Sequence, residues 1–196
     1  MKKPILSLLL IVAVAVSVAF VAQQSPKQFY TIIGEDGSKT KKYFFRDAAR
    51  GVGVAVVGQY EVIVKPLKNE RVRLAAVRSV VELDLENKGT ETMEIDISKL
   101  KLLSSTFLYI SFKEFAARYK MEVPNKPDKI TVAPGKGEKV YATFIADFAD
   151  STVIYPYDYP GAYKVGNTED LVLLWNRAVK VSKDTLALQP IRFKPE

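Results

Sequence analysis

A strict alternation of apolar and acidic residues constrains the fold of this chain more than any other feature. The stretch VELDLE at 81–86 places aliphatic residues at odd positions and carboxylates at even positions. Successive side chains of a β-strand point to opposite faces, so this stretch predicts a strand with one dry and one wet face. A second stretch, 92–98, repeats the pattern and directs Met93, Ile95 and Ile97 inward. Strands of this kind are typical of an antiparallel sheet or sandwich.

Further strands are predicted on both sides of this pair. Residues 54–66 and 74–87 are rich in β-branched side chains, and Pro66 ends the first of these segments. Later candidates lie at 140–146 and in the closing stretch TLALQPIRF. The single tryptophan, Trp175, has leucines around it and is predicted to lie in the core.

One helix is predicted between these strands, over residues 111–120. Ser111 and Glu114 have the spacing of a capping box, in which the serine side chain accepts a hydrogen bond at the start of the helix. Apolar side chains recur at intervals of three and four residues and share one helix face. These side chains are Phe112, Phe115, Ala116 and Tyr119.

The sequence contains neither cysteine nor histidine. Without cysteine there are no disulfides, no thiolate metal ligands and no cysteine nucleophile. Without histidine there is no Ser-His-Asp triad and no histidine-ligated zinc or copper. Glycoside hydrolysis by two carboxylates needs one acid with a raised pKa, which is rare on a wet strand face. We therefore predict that the protein is not an enzyme and uses no cofactor.

The first 22 residues have the features of an export signal. Lys2 and Lys3 precede an apolar run over 4–22, and cleavage after Ala19 satisfies the small-x-small rule. The run also reaches the lower length limit for crossing a bilayer. Either a cleaved signal peptide or a retained membrane anchor places the rest of the chain outside the cytoplasm. We divide the chain into this leader (1–22), a tether with the first strand (23–50) and a β-sandwich domain (51–196).

The charge balance is mildly basic. The formal net charge is +7, and the chain without its leader has 27 basic and 22 acidic residues, a net +5. No run of five or six basic residues appears, so nucleic-acid binding is not predicted. Low Asn and Gln contents beside frequent Lys, Glu and Arg favour a thermophile source. The densest basic region either contacts an anionic polymer or lipid headgroup or is a solvated strand edge. It comprises Lys65, Lys68, Arg71, Arg73 and Arg78.

Two short motifs carry a family resemblance: Asn-Lys-Gly at 87–89, after one strand, and Pro-Gly at 134–135, ahead of another. Through them, residues 77–150 resemble the telokin-like, immunoglobulin-fold domains of exported prokaryotic proteins. The resemblance implies an immunoglobulin-like antiparallel β-sandwich in an extracellular setting, and it transfers no catalytic residue. The predicted fold class is therefore mainly β, with such a sandwich, one short inserted helix and the hydrophobic leader ahead of it.

Carboxylates on the two alternating strands are a candidate calcium site. Oxygen ligands from Glu82, Asp84, Glu94 and Asp96 would suit this ion if the strands were neighbours. The sequence has no D-x-D-x-D-G loop. The alternative is a solvated sheet face whose charges discourage pairing with another strand edge. We predict this solvated face, with no bound metal.

The segment STVIYPYDYPGAY at 151–163 is the most distinctive candidate for a binding surface. If it is extended, three tyrosines at alternate positions project on one side, roughly 6 to 7 Å apart. Such a ladder suits stacking on sugar rings or on a neighbouring subunit. The alternative is a stiff loop with its rings folded onto the core. The predicted contacts are Tyr155, Tyr157, Asp158, Tyr159 and Tyr163.

Together these features predict a non-catalytic binding module at the cell surface or in the envelope. Its partner would be a protein or a polysaccharide, with membrane attachment if the leader is retained. The alternative is a structural role. A β-prone segment with Phe29, Tyr30, Ile32 and Ile33 lies between leader and sandwich and has no evident partner strand. By adding to the edge of the next subunit, it would build a filament through self-association.

Overall fold

The computed structural model of the chain describes residues 28–66, 73–104, 109–118, 127–147 and 170–195. These residues form antiparallel sheets with one α-helix, so the predicted mainly-β class is confirmed. The strands are β1 (Gln28–Ile33), β2 (Lys39–Thr40), β3 (Tyr43–Asp47), β4 (Val52–Pro66), β5 (Arg73–Asn87), β6 (Met93–Asp96), β7 (Lys101–Ser104), β8 (Tyr109–Ser111), β9 (Lys129–Val132), β10 (Lys136–Asp147), β11 (Leu171–Leu174), β12 (Val179–Val181), β13 (Asp184–Thr185) and β14 (Ile191–Pro195). The helix α1 is Phe112–Arg118, and a 3₁₀ helix covers Ile97–Lys99.

The two longest strands, β4 and β5, pair along their whole length, from Val52 opposite Asn87 to Pro66 opposite Arg73. The alternation at 81–86 sets the faces of β5. Its odd-numbered aliphatic residues are buried in the core, and its carboxylates lie on the other face. We call these the inner and outer faces of the sheet.

The larger sheet curls until its two ends meet. Its strand order is β7-β11-β14-β1-β4-β5-β10-β8, with β2 added beside β1 and β3 beside β4. The two end strands, β7 and β8, contact one another. Only residues 105–108 separate them in sequence, a connection that spans at most about 18 Å. The inner face is therefore wrapped around one core.

A smaller sheet, ordered β13-β12-β6-β9, shares that core. Met93 and Ile95 of β6 are fully buried, as the alternation predicts. Ile97 is only partly buried, because the strand ends at Asp96 and the chain turns into the 3₁₀ helix. Asp96 caps that helix, since its Oδ1 accepts a hydrogen bond from the backbone N–H of Ser98 at 3.2 Å.

The predicted helix start is confirmed. Ser111 Oγ accepts a hydrogen bond from the backbone N–H of Glu114 at 3.2 Å, as an N-cap does. Phe115 packs against Ile110 and Ile145 in a second, smaller cluster. Because neighbouring residues of β10 point into the main core, Ile145 lies on the outer face, and α1 covers that part of it.

The N-terminal strand is part of the larger sheet. Residues of β1 pair with β14 from Tyr30 onward and with β4 at Gln28 and Phe29. Tyr30 and Ile32 are each 1% exposed. The expectation that this segment has no partner strand of its own is therefore wrong, and the tether assigned to 23–50 includes three strands of the sheet.

Close packing fixes β1 in place. The Tyr30 ring lies 4.6 Å from the Tyr60 ring and 5.5 Å from the Phe193 ring, between ring centroids. Gly58 of β4 lies directly beneath this cluster. A Cβ atom there would come within 2.8 Å of Phe193 and 2.9 Å of Tyr30, so only glycine fits without rearrangement.

The single tryptophan lies in the core. Trp175 is buried as predicted, and its indole N–H donates a hydrogen bond to the carbonyl of Gln189 at 2.8 Å.

The leader 1–22 lies outside the described residues. Within the part of the chain that is described, no helix is long and apolar enough to span a membrane.

Candidate functional site

The outer face of strands β3, β4, β5 and β10 carries rows of residues that lie side by side across the sheet. One row runs from Phe44 through Ala55 and Asp84 to Lys139. The next row runs from Arg46 through Gly53 and Glu86 to Gly137, at the same registers.

A groove follows β4 along this face, because small residues lie between taller ones. Gly53 and Ala55 of β4 form its floor, and side chains of β3 and β5 form its two walls. Its volume is about 380 Å³. Adjacent strands lie about 4.8 Å apart, so the walls stand roughly 10 Å from each other at the backbone. We call this feature the β4 groove.

An exposed aromatic ring stands on the β3 wall of the β4 groove. Phe44 is 61% exposed, although most large apolar residues of the described sheet are buried. The ammonium group of Lys42 lies 5.2 Å from the centre of the ring, within the range of a cation–π contact. Tyr141, 49% exposed, lies on the same face of β10. Exposed rings on a rigid sheet are suited to contact with a partner.

The charges around the groove are partly paired. Lys88 Nζ lies 2.7 Å from Glu86 Oε1, and Lys42 Nζ lies 4.0 Å from Asp84 Oδ2. The hydrogen bond from Lys88, with the charges of Lys88 and Arg46, lowers the pKa of Glu86. Glu86 is therefore ionised at neutral pH and is an acceptor of hydrogen bonds.

A third ion pair lies farther along the same face, between Lys139 Nζ and Glu82 Oε1 at 2.8 Å. The hydrogen bond to Glu82 raises the pKa of Lys139 above its ordinary value. The carboxylates of β5 therefore have neighbouring lysines on this face.

One end of the β4 groove is built around the buried side chain of Asn87. Its Nδ2 donates to the carbonyls of Glu91 and Val132 at 2.8 and 2.9 Å, and its Oδ1 accepts from the N–H of Gly89 at 3.1 Å. Its backbone carbonyl accepts from the N–H of Gly135 at 2.7 Å. The turns at 87–89 and 134–135, which carry the family resemblance, are therefore joined by a hydrogen bond.

Glycine is required in this corner by close approach of the backbone. A Cβ atom on Gly89 would overlap the carbonyl oxygen of Arg50, and Gly51 has a φ of +67°. The N–H of Lys88 donates to the carbonyl of Gly51 at 2.7 Å. The two loops thus brace the strand ends that form the floor and wall of the groove.

The four candidate calcium ligands are not brought together. Glu82 and Asp84 lie on β5 in the larger sheet, whereas Glu94 and Asp96 lie on β6 in the smaller one. Among the residues that the structure describes, no group of three or more metal-ligating side chains is arranged to hold an ion. The calcium alternative fails because β5 and β6 are consecutive in sequence but pair in different sheets.

The other candidate residues have different outcomes. The tyrosine-rich segment, with Tyr155, Tyr157, Asp158, Tyr159 and Tyr163, lies outside the described residues. Of the basic region, only the Arg78 side chain is described, and it forms an ion pair with Glu61 on the outer face. That pair occupies Arg78 with a partner from its own sheet.

The β4 groove was not predicted from the sequence. It depends on the pairing of β3 with β4 and of β4 with β5, which aligns Phe44 with Asp84 across forty residues of chain. The one sequence signal is the pair of aromatic residues at 44 and 45. Their alternation exposes the first and partly buries the second.

No family model, no curated protein and no solved structure matches this chain.

Proposed function

We propose that this chain is a non-catalytic binding module that contacts a protein or polysaccharide outside the cytoplasm, at the cell surface or in the envelope. The observation that carries this proposal is the β4 groove, with the exposed ring of Phe44 on its wall. An exposed aromatic side chain beside a cleft on a rigid sheet is typical of a recognition surface.

The chemistry of the groove supports binding over catalysis. Glu86 has a lowered pKa, whereas a general acid needs a raised one. The sequence offers no histidine or cysteine to take over proton transfer or nucleophilic attack. The groove offers hydrogen-bond donors, hydrogen-bond acceptors and an exposed apolar ring, and these are groups that bind a ligand.

The proposed location rests on the leader. Two lysines ahead of an apolar run, with the bulk of the chain after it, direct residues 23–196 out of the cytoplasm, whether the leader is cleaved or retained. The proposed immunoglobulin-like sandwich is supported by the antiparallel pairing and by the smaller sheet, which shares one core with the larger sheet. The tyrosine-rich segment 151–163 remains a predicted second contact.

A filament subunit is the second candidate, and one observation favours it. Although β1 is the first described strand, it lies within the larger sheet, between β14 and β4, and supplies buried side chains to the core. A terminal strand in such a place is the element that subunits exchange when they assemble by strand addition. In this alternative, Tyr30 and Ile32 would fill the same positions in a neighbouring subunit.

An array of polysaccharides and envelope proteins, probed with residues 23–196, tests the binding proposal. Phe44→Ala should abolish the signal, and Phe29→Ala should keep it, because Phe29 is an exposed phenylalanine outside the groove. Tyr157→Ala reports on the tyrosine-rich segment separately. A parent protein that binds nothing on the array, or a Phe44→Ala signal equal to that of the parent, would contradict the proposal.

A further inference from the structure

We infer that the β4 groove takes an acidic polysaccharide, a polymer of sugar rings that carry carboxylates. The inference rests on the proposed binding function and names the ligand class for the same site. It is carried by the exposed ring of Phe44, by the excess of cations around the groove and by the backbone floor between the two walls.

The ring supplies the contact with the sugar face. One side of a pyranose ring presents C–H groups, which pack on an aromatic face, as Phe44 would offer on the β3 wall. Gly53 and Ala55 leave space beside that ring, since a Cβ on Gly53 would find its nearest neighbours only at 3.5 Å or more. The ammonium group of Lys42 lies 5.2 Å from the centre of the Phe44 ring, so a sugar ring stacked on that face would replace the end of this exposed lysine side chain.

The charges select an acidic polymer. Four cationic side chains line the groove, against two carboxylates. They are Lys42, Arg46, Lys88 and Lys136. Asp84 and Glu86 already lie within ion-pair distance of Lys42 and Lys88. Neither Arg46 nor Lys136 lies within ion-pair distance of a carboxylate among the described residues, although the charge of Arg46 acts on Glu86. With four cations and two carboxylates, the groove has a local excess of positive charge for an incoming carboxylate.

The carboxylates of the groove distinguish a sugar from an acidic peptide. Asp84 and Glu86 accept hydrogen bonds from hydroxyl groups, which every sugar ring carries and which the side chains of ionised Asp and Glu lack. A wall that alternates cations and acceptors therefore matches a ligand with both carboxylates and hydroxyls.

Affinity electrophoresis and titration calorimetry with polygalacturonate test this inference, with neutral galactan as the matched probe. Residues 23–196 should bind polygalacturonate, and the affinity should fall as salt rises. Arg46→Gln and Phe44→Ala should each weaken binding by about tenfold or more. Arg46→Lys should lose less affinity than Arg46→Gln, because lysine keeps the positive charge but lacks the planar guanidinium group. Phe29→Ala is the control, and circular dichroism verifies that each variant is folded.

Three results would overturn the inference. One is equal binding of both polymers with no effect of Arg46→Gln. Another is binding of polygalacturonate that Arg46→Gln and Phe44→Ala leave unchanged. The third is no binding of polygalacturonate while a protein or neutral glycan on the array binds through Phe44, in which case the proposed binding function stands without the acidic polymer. If no probe on the array binds, the function and the inference both fail.

Discussion

The hydroxyl oxygens of Tyr30 and Ser79 lie 2.7 Å apart inside the core, in a hydrogen bond between residues 49 positions apart in the chain. The bond connects β1 to β5, with β4 between them in the sheet. It makes the N-terminal strand an integral part of the fold. The same strand is the one whose exchange would convert a monomer into a filament subunit.

Removing this hydrogen bond should destabilise the fold. We expect Ser79→Ala to lower the free energy of unfolding by about 0.5 to 1.5 kcal/mol, the net value of a typical buried hydrogen bond. Urea denaturation measures the effect. In a double-mutant cycle with Tyr30→Phe, the two losses should be less than additive, whereas strictly additive losses would show that the hydroxyls do not interact.

The space above Gly58 gives a second prediction. Gly58→Ala should lower the free energy of unfolding by about 1 to 3 kcal/mol, because its Cβ would overlap the rings of Phe193 and Tyr30. Gly53→Ala on the same strand is the matched control, since its Cβ would make only ordinary contacts. Thermal unfolding of both variants measures the difference. Equal stability of the two variants would refute the packing described for the aromatic cluster.

Among the polar residues at this end of the β4 groove, Asn87 should cause the largest loss of stability when it is substituted. Its buried side chain bonds three backbone groups, so Asn87→Ala should cost at least about 2 kcal/mol. Thr90→Ala, an exposed change in the same loop, should cost under about 0.5 kcal/mol. Chemical denaturation compares the two. A loss at Asn87 no larger than that at Thr90 would contradict the role given to this side chain.

Part of the stability should depend on pH through Asp47. Hydrogen bonds from the side chain and backbone of Arg50 lower the pKa of Asp47 below its ordinary value of 3.8. The folded state therefore binds the proton less readily than the unfolded state does. The stabilisation is complete above pH 3.8 and is lost as the pH falls through the lowered pKa of the folded state.

Asp47→Asn should therefore weaken the acid dependence of the urea midpoint below about pH 4. Arg50→Gln should have the same effect, because Arg50 is the main cause of the shift. Urea midpoints measured between pH 7 and pH 2.5 test this. Identical pH profiles for the parent and both variants would argue against the interaction.

The association state separates the two candidate functions. Because β1 is already paired and buried within its own chain, we expect residues 23–196 to be monomeric. Size-exclusion chromatography with light scattering, followed by negative-stain microscopy, measures this. Fibres or higher oligomers formed by the parent protein would contradict this expectation and favour the filament alternative.

Local patterns in the sequence were sufficient for several elements of the fold. The alternation at 81–86 predicts the faces of β5, and the capping residues at Ser111 and Glu114 predict the start of α1. Both predictions depend only on residues that lie close together in the sequence. The position of β1 could not be read in this way, because its partners β4 and β14 are set by tertiary packing.

The candidate site was harder to predict for the same reason. Phe44 and Asp84 face each other across Ala55, a relation that exists only in the register of three strands. The calcium alternative assumed that consecutive strands are neighbours, and β5 and β6 pair in separate sheets. Charge and composition limited the kinds of chemistry that the site can perform, but they do not show which residues lie next to one another in the folded protein.

Photo-crosslinking from the β4 groove tests the central claim most directly. A benzophenone amino acid replaces Phe44 in one variant and Phe29 in another, and each is irradiated with envelope material from the source cells. We predict a covalent adduct from position 44 and none from position 29. An adduct from position 29 alone, or equal adducts from both, would contradict binding through the β4 groove.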